Sequence, residues 1–238
     1  MAEPEGRKRR AVWGWGIALA VVAVVLGILA QSAWYFAGGR GPVGEAAALR
    51  DLLGLGPGVT VAEIGAGDGA IAIEVARIIG PGGRVFANEL DASLVETIRR
   101  RASEAGVSNL TAVRAAEHDT NLPGGCCQVV YMRRLYHDLT DPARVVSSIS
   151  RALAPGGRLV VIDFEPTLVG NLLMPRRTNR TGHGVTRSRL LDEMRDLGFA
   201  PEHPPAHWSG GMFVAVFGAS QQGSARLPDV ARLAIAPV

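Results

Sequence analysis

The residues of this chain best placed to do chemistry stand together at Glu63-Ile64-Gly65-Ala66-Gly67-Asp68-Gly69. An apolar run, Val59 to Ile64, reads as a buried strand, and Ala70 to Ile79 carries helical periodicity. Closely spaced glycines between a strand and a helix let backbone approach a ligand with no Cβ in the way. The same turn aims the helix N-terminal N–H groups at that ligand. The stretch therefore predicts a site for a nucleotide-like cofactor.

Two cofactor chemistries compete for it. A dinucleotide site wants G-x-G-x-x-G, but Ala70 stands where the third glycine would fall. Glu63 lies two residues before the first glycine, at the strand end. Farther on, Arg84 to Asn88 reads as a second strand ending at Glu89, followed by Leu90. An acid there, about 20 residues past the glycine turn, can accept both ribose hydroxyls. That placement serves either cofactor.

The pattern E-x-G-x-G-x-G resembles motif I of the class I S-adenosylmethionine-dependent methyltransferases. The segment Ala152 to Leu159, with Pro155-Gly156-Gly157 at its centre, is similar to the L-x-P-G-G-x-L turn of that superfamily. Motif I, the strand-two acid and this turn occur in the family's order, and the resemblance covers residues 43–218. It implies S-adenosylmethionine as cofactor, with Glu63 near its methionine end. Gly65, Ala66, Gly67, Asp68 and Gly69 would flank it, and Glu89 and Leu90 would stand at its ribose. Family members also present a polar side chain to the adenine after strand three, which here selects Glu117 and His118. An NAD-dependent oxidoreductase and a cofactor-binding module that no longer catalyses are the alternative readings.

Arg133-Arg134-Leu135-Tyr136-His137-Asp138 follows strand four, where the superfamily places acceptor-side residues. It is similar to the Y-H-x-hydrophobic segment of members acting on small molecules. His137, with Tyr136 beside it, is the candidate base, since imidazole titrates in the useful range; packing beneath the cleft is the rival account. His183, between Gly182 and Gly184, is a candidate lining residue for the acceptor pocket. His203 and His207 are separated by Pro204 and Pro205, which forbid the helix that would align them, so no metal site is expected. Arg176, Arg177 and Arg180 read as solvated surface, with acidic acceptors or lipid headgroups as the sharper alternative.

These residues need a scaffold, and the pattern supplies one. Helices are expected at Gly44–Leu53, Ala92–Ala105, from Asp141-Pro142 to Leu153, and at Thr186–Leu197. Further strands are expected at Leu110–Val113, Val129–Met132, Arg158–Asp163 and Met212–Phe217. Alternation of this kind predicts an α/β, Rossmann-like, doubly wound and mostly parallel sheet. The resemblance implies seven strands, closed by an antiparallel pair near 200–208 and 212–217.

Charge and hydropathy organise the remainder. Residues 1–40 hold five basic and two acidic side chains, and residues 41–238 hold twenty of each. A neutral domain lacks the footprint of a nucleic-acid binder. Lys8 is the only lysine, which excludes Schiff-base and P-loop chemistry from the domain. After the basic tail, 1–10, residues 11–37 are uncharged and flanked by Trp13, Trp15, Trp34 and Tyr35. This predicts one membrane-spanning anchor, with a cleaved signal peptide as rival. A linker at 38–42 leads to the domain, and 219–238 forms a tail.

The basic tail predicts a cytoplasmic N-terminus. A single span would then carry the domain to the other side, where S-adenosylmethionine is not generally supplied, so the domain's side stays open. A membrane-tethered enzyme suits a small or lipophilic acceptor. Cys126 and Cys127 are expected to be unbridged structural residues, because adjacent cysteines rarely pair.

Overall fold

The computed structural model describes residues 21–27, 40–167 and 183–219. Two compact units divide at residue 39, the second beginning at Arg40. Of the first unit, residues 21–27 are described: they are helical, with Val21, Val22, Val24, Val25 and Leu26 exposed. No helix among the described residues is long and apolar enough to cross a membrane. The expected span at 11–37 lies outside the described residues except for those seven, as do the 1–10 tail, Arg176, Arg177, Arg180 and residues 220–238.

In the second unit, α1 (Pro42–Leu53) leads to β1 (Thr60–Ile64), α2 (Ala70–Ile79), β2 (Arg84–Glu89), α3 (Ala92–Glu104) and β3 (Leu110–Arg114). Then come β4 (Cys127–Arg133), a 3₁₀ turn (Tyr136–Asp138), α4 (Pro142–Ala152) and β5 (Leu153–Phe164). The described residues end on α5 (Arg187–Asp196), β6 (Phe199–Pro201), β7 (Ala206–His207) and β8 (Met212–Ala219). The sheet order is β3-β2-β1-β4-β5-β8-β6, with β7 also on β8. Strands β1 to β5 are parallel, whereas β8 runs antiparallel to β5, β6 and β7. The order reverses between β1 and β4, the switch point where such sheets open a crevice.

Eight strands replace the expected seven. The partner of β8 is broken in two because Pro204 and Pro205 interrupt it, and proline cannot donate to a ladder. Strand β5 begins earlier than its apolar pattern, at Leu153. Pro155-Gly156-Gly157 sits inside the pairing with β4 as a register shift, not as a turn ahead of the strand. A Cβ on Gly157 would lie 2.9 Å from the Ala154 carbonyl and 3.0 Å from that of Cys127, so only glycine fits between these strands.

The helices bury the faces their periodicity marks. Helix α4 turns Val145, Val146, Ile149 and Ala152 inward against Val130, Met132, Leu159 and Val161. Each fully buried aliphatic of this kind contributes about 2 kcal/mol. Asp91 and Asp141 cap α3 and α4 through bonds to Ser93 N–H (2.7 Å) and Arg144 N–H (3.1 Å). A buried polar knot joins the first helix to the last hairpin. Glu45, fully buried, accepts from Arg133 Nε (2.7 Å) and Trp208 Nε1 (2.6 Å).

The cysteine expectation is corrected. Cys126 and Cys127 are joined by a disulfide, with Cys127 buried at the start of β4. Adjacent residues enclose no loop, so the bond constrains little of the unfolded chain.

Candidate functional site

The turn from β1 into α2 forms one wall of a cleft of about 630 Å³ at the carboxyl ends of the strands. Its three glycines have different physical reasons. A Cβ on Gly65 would meet the Leu135 side chain at 2.8 Å, and one on Gly69 would meet Ile98 at 3.0 Å. Both are packing constraints. Gly67, at φ 57°, has nothing within 4 Å of where its Cβ would be. Gly67 lines the cleft, so its backbone is bare toward the space a ligand would fill.

The end of β2 holds this turn. The N–H groups of Gly65 and Ala66 both donate to the Asn88 carbonyl at 2.9 Å. Gly67 N–H donates to Glu89 Oε2 at 2.8 Å, while Glu89 Oε1 accepts from Leu90 N–H (2.7 Å) and Asp91 N–H (3.2 Å). A carboxylate has about four lone-pair positions, so Glu89 retains acceptor capacity for a ligand hydroxyl. Leu90 beside it is 52 % exposed, an apolar platform next to that acceptor. Asp68 lines the cleft but is engaged: it pairs with Arg101, and its Oδ1 accepts from Ala70 N–H at 3.2 Å.

Glu63 is the site's anomaly. It is nearly fully buried, lines the cleft, and its Oε2 has no hydrogen-bond partner. Burial pushes its carboxyl up to about 8, with neighbouring Tyr131 and Arg133 drawing it part of the way back. A buried carboxyl with an unpartnered oxygen, in the cleft that the bare glycine turn also lines, fits a ligand that brings positive charge.

The opposite wall comes from the segment after β4 and the end of β5. His137, Phe164 and His183 line it, with ring centroids 4.8 Å (His137–Phe164), 5.3 Å (His137–His183) and 4.6 Å (Phe164–His183) apart. His183 is held by its neighbour Gly184, whose Cβ would lie 2.5 Å from the Phe164 carbonyl. Burial, then the nearby His137, hold the His183 imidazole below its ordinary value. Arg40 and Pro42 complete the rim. Arg40 also spans the Trp208 ring at 5.0 Å and donates to the Trp208 carbonyl at 3.3 Å.

Three expected site residues fall elsewhere, and Gly69, Glu89 and Leu90, though next to the turn, are not among the residues lining this cleft. Tyr136 is fully buried and gives its hydroxyl to Glu193 on α5 at 2.6 Å, so it belongs to the core beneath the cleft and not to the acceptor wall. The tight 3₁₀ turn sends Tyr136 and His137 to different surroundings. Glu117 and His118 are absent from the cleft wall. They sit in a loop tied to β2 by Ala115 N–H on the Glu89 carbonyl (2.9 Å), with the Glu117 side chain 68 % exposed. Arg133, Asp163, Phe164, Arg40 and Pro42 were not singled out from sequence. Asp163 carried a readable signal, a carboxylate at the end of a buried strand.

Residues 61–157 match the family described as Methyltransferase domain (Methyltransf_25). That match covers β1 through the start of β5, the part of the chain that builds the glycine turn. The chain is similar to the ubiquinone/menaquinone biosynthesis C-methyltransferase UbiE of Vibrio campbellii, 28 % identical over 51 % of this chain and 48 % of that protein. It is also similar to UbiE of Ralstonia pickettii, 32 % identical over 46 % of this chain and 44 % of that one. The chain thus spans about half the length of the curated relatives it matches. A methyltransferase of Aquifex aeolicus of known structure shares the fold, with TM-score 0.61 and 17 % identity over 76 % of this chain and 100 % of the other.

Within this methyltransferase domain, the residues that would hold the donor are Glu63 at its cationic end, the Gly65–Gly67 backbone along it and Glu89 at its ribose. Gly67→Val fills the open approach and adds strain at a positive φ. We expect S-adenosylhomocysteine affinity to fall by about a hundredfold or more, measured by calorimetry; unchanged affinity would contradict this placement.

Glu63 also makes a pH prediction. Its carboxyl ordinarily titrates at 4.5, and at about 8 in the folded protein. Between those values the unfolded chain binds fewer protons, so this group's contribution to stability falls as pH rises through the window. Thermal unfolding should therefore show Tm declining from pH 4.5 to about 8 more steeply in the wild type than in Glu63→Gln. Parallel curves would count against a buried, protonated Glu63.

Proposed function

We propose that this protein transfers a methyl group from S-adenosylmethionine to a small, lipophilic, quinone-like acceptor at a membrane surface. The observation that carries the reading is Glu63, a buried carboxyl with an unpartnered oxygen, which lines the same cleft as a glycine turn whose backbone is open. When bound there, S-adenosylmethionine supplies a methyl group made electrophilic by the adjacent sulfonium. The chain's own part is alignment and exclusion of water. Glu63 and the glycine turn line one part of the cleft, and the rings of His137, Phe164 and His183 line another. In an in-line displacement, such positioning supplies much of the acceleration.

The acceptor assignment draws on the similarity to ubiquinone/menaquinone biosynthesis C-methyltransferases, together with that aromatic wall. Membrane attachment draws on the uncharged segment at 11–37, its aromatic flanks and the exposed aliphatics at 21–27. In this reading the segment is a single-pass anchor, with the basic tail on the cytoplasmic side.

Calorimetry on the full chain, with S-adenosylhomocysteine and NAD as rival ligands, tests the donor. Saturable binding of the former and none of the latter is expected. Transfer of labelled methyl from S-adenosylmethionine to a membrane lipid extract should accompany it. Preferential NAD binding would overturn the reading, and donor binding without transfer to any extract would favour a cofactor-binding module that no longer catalyses.

A further inference from the structure

Around the end of β1 the fold buries two carboxyl groups and supplies one cation for both. Glu45, from α1, is fully buried, and Glu63, from β1, is nearly so. The cation is Arg133 on β4, whose Nε donates to Glu45 Oε1 at 2.7 Å. Trp208 Nε1 donates to the same oxygen at 2.6 Å, so Glu45 is held as an ion pair with a second donor. Among the described residues no ion pair reaches Glu63. Its Oε2 is buried without a hydrogen-bond partner, and so is the hydroxyl of Tyr131, which stands opposite it on β4.

That count of charges has a chemical consequence. A buried carboxylate is stable only where a counter-charge or several donors reach it. The hydrogen bond from Arg133 is spent on Glu45, and the Glu45 charge joins burial in opposing ionisation of Glu63. Glu63 therefore keeps its proton at neutral pH, in line with a carboxyl pushed up to about 8. It also lines the cleft, so a cation entering there supplies the charge that the fold withholds.

We propose that Glu63 exchanges its proton for the positive charge of the bound donor, and that Glu45 is the positioning residue that keeps Arg133 from taking that place. The exchange rests on the methyltransferase reading for the identity of its ligand. In the step, the Glu63 O–H bond breaks, its electron pair stays on oxygen, and the proton leaves to solvent. The carboxylate is then compensated by the ligand's cation. A ligand with the same nucleoside and no cation leaves the proton in place and gains nothing from this acid, so Glu63 selects by charge. The groups that face it are Tyr131 and Arg133 from β4, Glu45 from α1 and the Ala72 backbone of α2. Asp68, Arg40, Arg134, His137, Asp138 and His183 line the same cleft. Two of these are imidazoles, so a proton count alone does not name its source, and the test must observe the carboxyl itself.

The test uses the full chain with S-adenosylhomocysteine, which carries the donor's ammonium group, and adenosine, which carries no such cation. Calorimetry at about pH 6.5, below the α-amino range near 7.7, is repeated in buffers of different ionisation enthalpy to count protons. About one proton should be released per S-adenosylhomocysteine bound, and none with adenosine. Infrared difference spectra should show a carboxylic-acid C=O band lost on binding, and Glu63→Gln should remove both signals. From about pH 6 to about pH 7 the wild-type affinity should rise about tenfold, as one linked proton requires, and Glu63→Gln should lose that rise. Glu45→Gln keeps an acceptor for Trp208 and frees Arg133 to compensate Glu63, so the acid band should be missing before ligand is added. Binding that releases no proton, or an acid band that survives it, overturns the exchange. An unchanged band in Glu45→Gln overturns the part given to Glu45. Absence of S-adenosylhomocysteine binding from the folded wild type would instead fault the methyltransferase reading.

Discussion

A turn that bares its backbone to a ligand must be held from behind, and here the end of β2 holds it. The Asn88 carbonyl takes two of the turn's N–H groups and the Glu89 carboxylate takes the third. Asn88 is itself anchored. Its side-chain amide donates to the Thr120 carbonyl, and Thr120 N–H donates to Ser148 Oγ on α4 at 2.9 Å. Ser148 in turn donates to Asp119 at 3.0 Å, which pairs with Arg151 at 2.7 Å. Asn88, Thr120 and Ser148 are all buried, so each bond in this relay is one that the fold can ill spare. The glycine turn is rigid because a polar chain runs from it, through two loops, to a helix on the sheet's face.

The cleft is built between two buried carboxyl groups with contrasting surroundings. Glu63 at the end of β1 has an oxygen with no partner, whereas Asp163 at the end of β5 is saturated by two backbone donors and an imidazole. The first is poised to gain charge compensation from a ligand. The second is a finished structural unit. Topology explains their pairing across one space: both lie at carboxyl ends of strands that flank β4 at the switch in strand order. The Glu45–Arg133–Trp208 knot closes the same region from the side of α1, so Arg40 and Pro42 reach the rim already fixed.

Local signals in the sequence led directly to the parts of the fold governed by local physics. The glycine turn, helix α2 from Ala70 to Ile79, and the aspartate caps of α3 and α4 depend on neighbouring residues, and they fall where periodicity and capping put them. What escaped was set by distant partners. The role of Asp163 depends on a histidine 26 positions earlier. Glu45 is buried because Arg133 and Trp208 converge on it, although a glutamate in a first helical turn reads as solvated. Tyr136 and His137, adjacent in sequence, part company because a 3₁₀ turn sends one to Glu193 and the other to the cleft. Glu117 and His118 follow the right strand but stay in a loop that β2 ties down. The extra strand has a legible cause, Pro204-Pro205, whose effect on the hairpin depends on the register with β8.

The central claim is that one bare turn, with carboxyl groups at 63 and 89 at its two ends, holds the methyl donor. A crystal structure of the full chain with S-adenosylhomocysteine tests it most directly. The account predicts density along Gly65–Gly67, with the amino-acid end at Glu63 and the ribose at Glu89. Density at another site, or the reverse orientation along this turn, would contradict it.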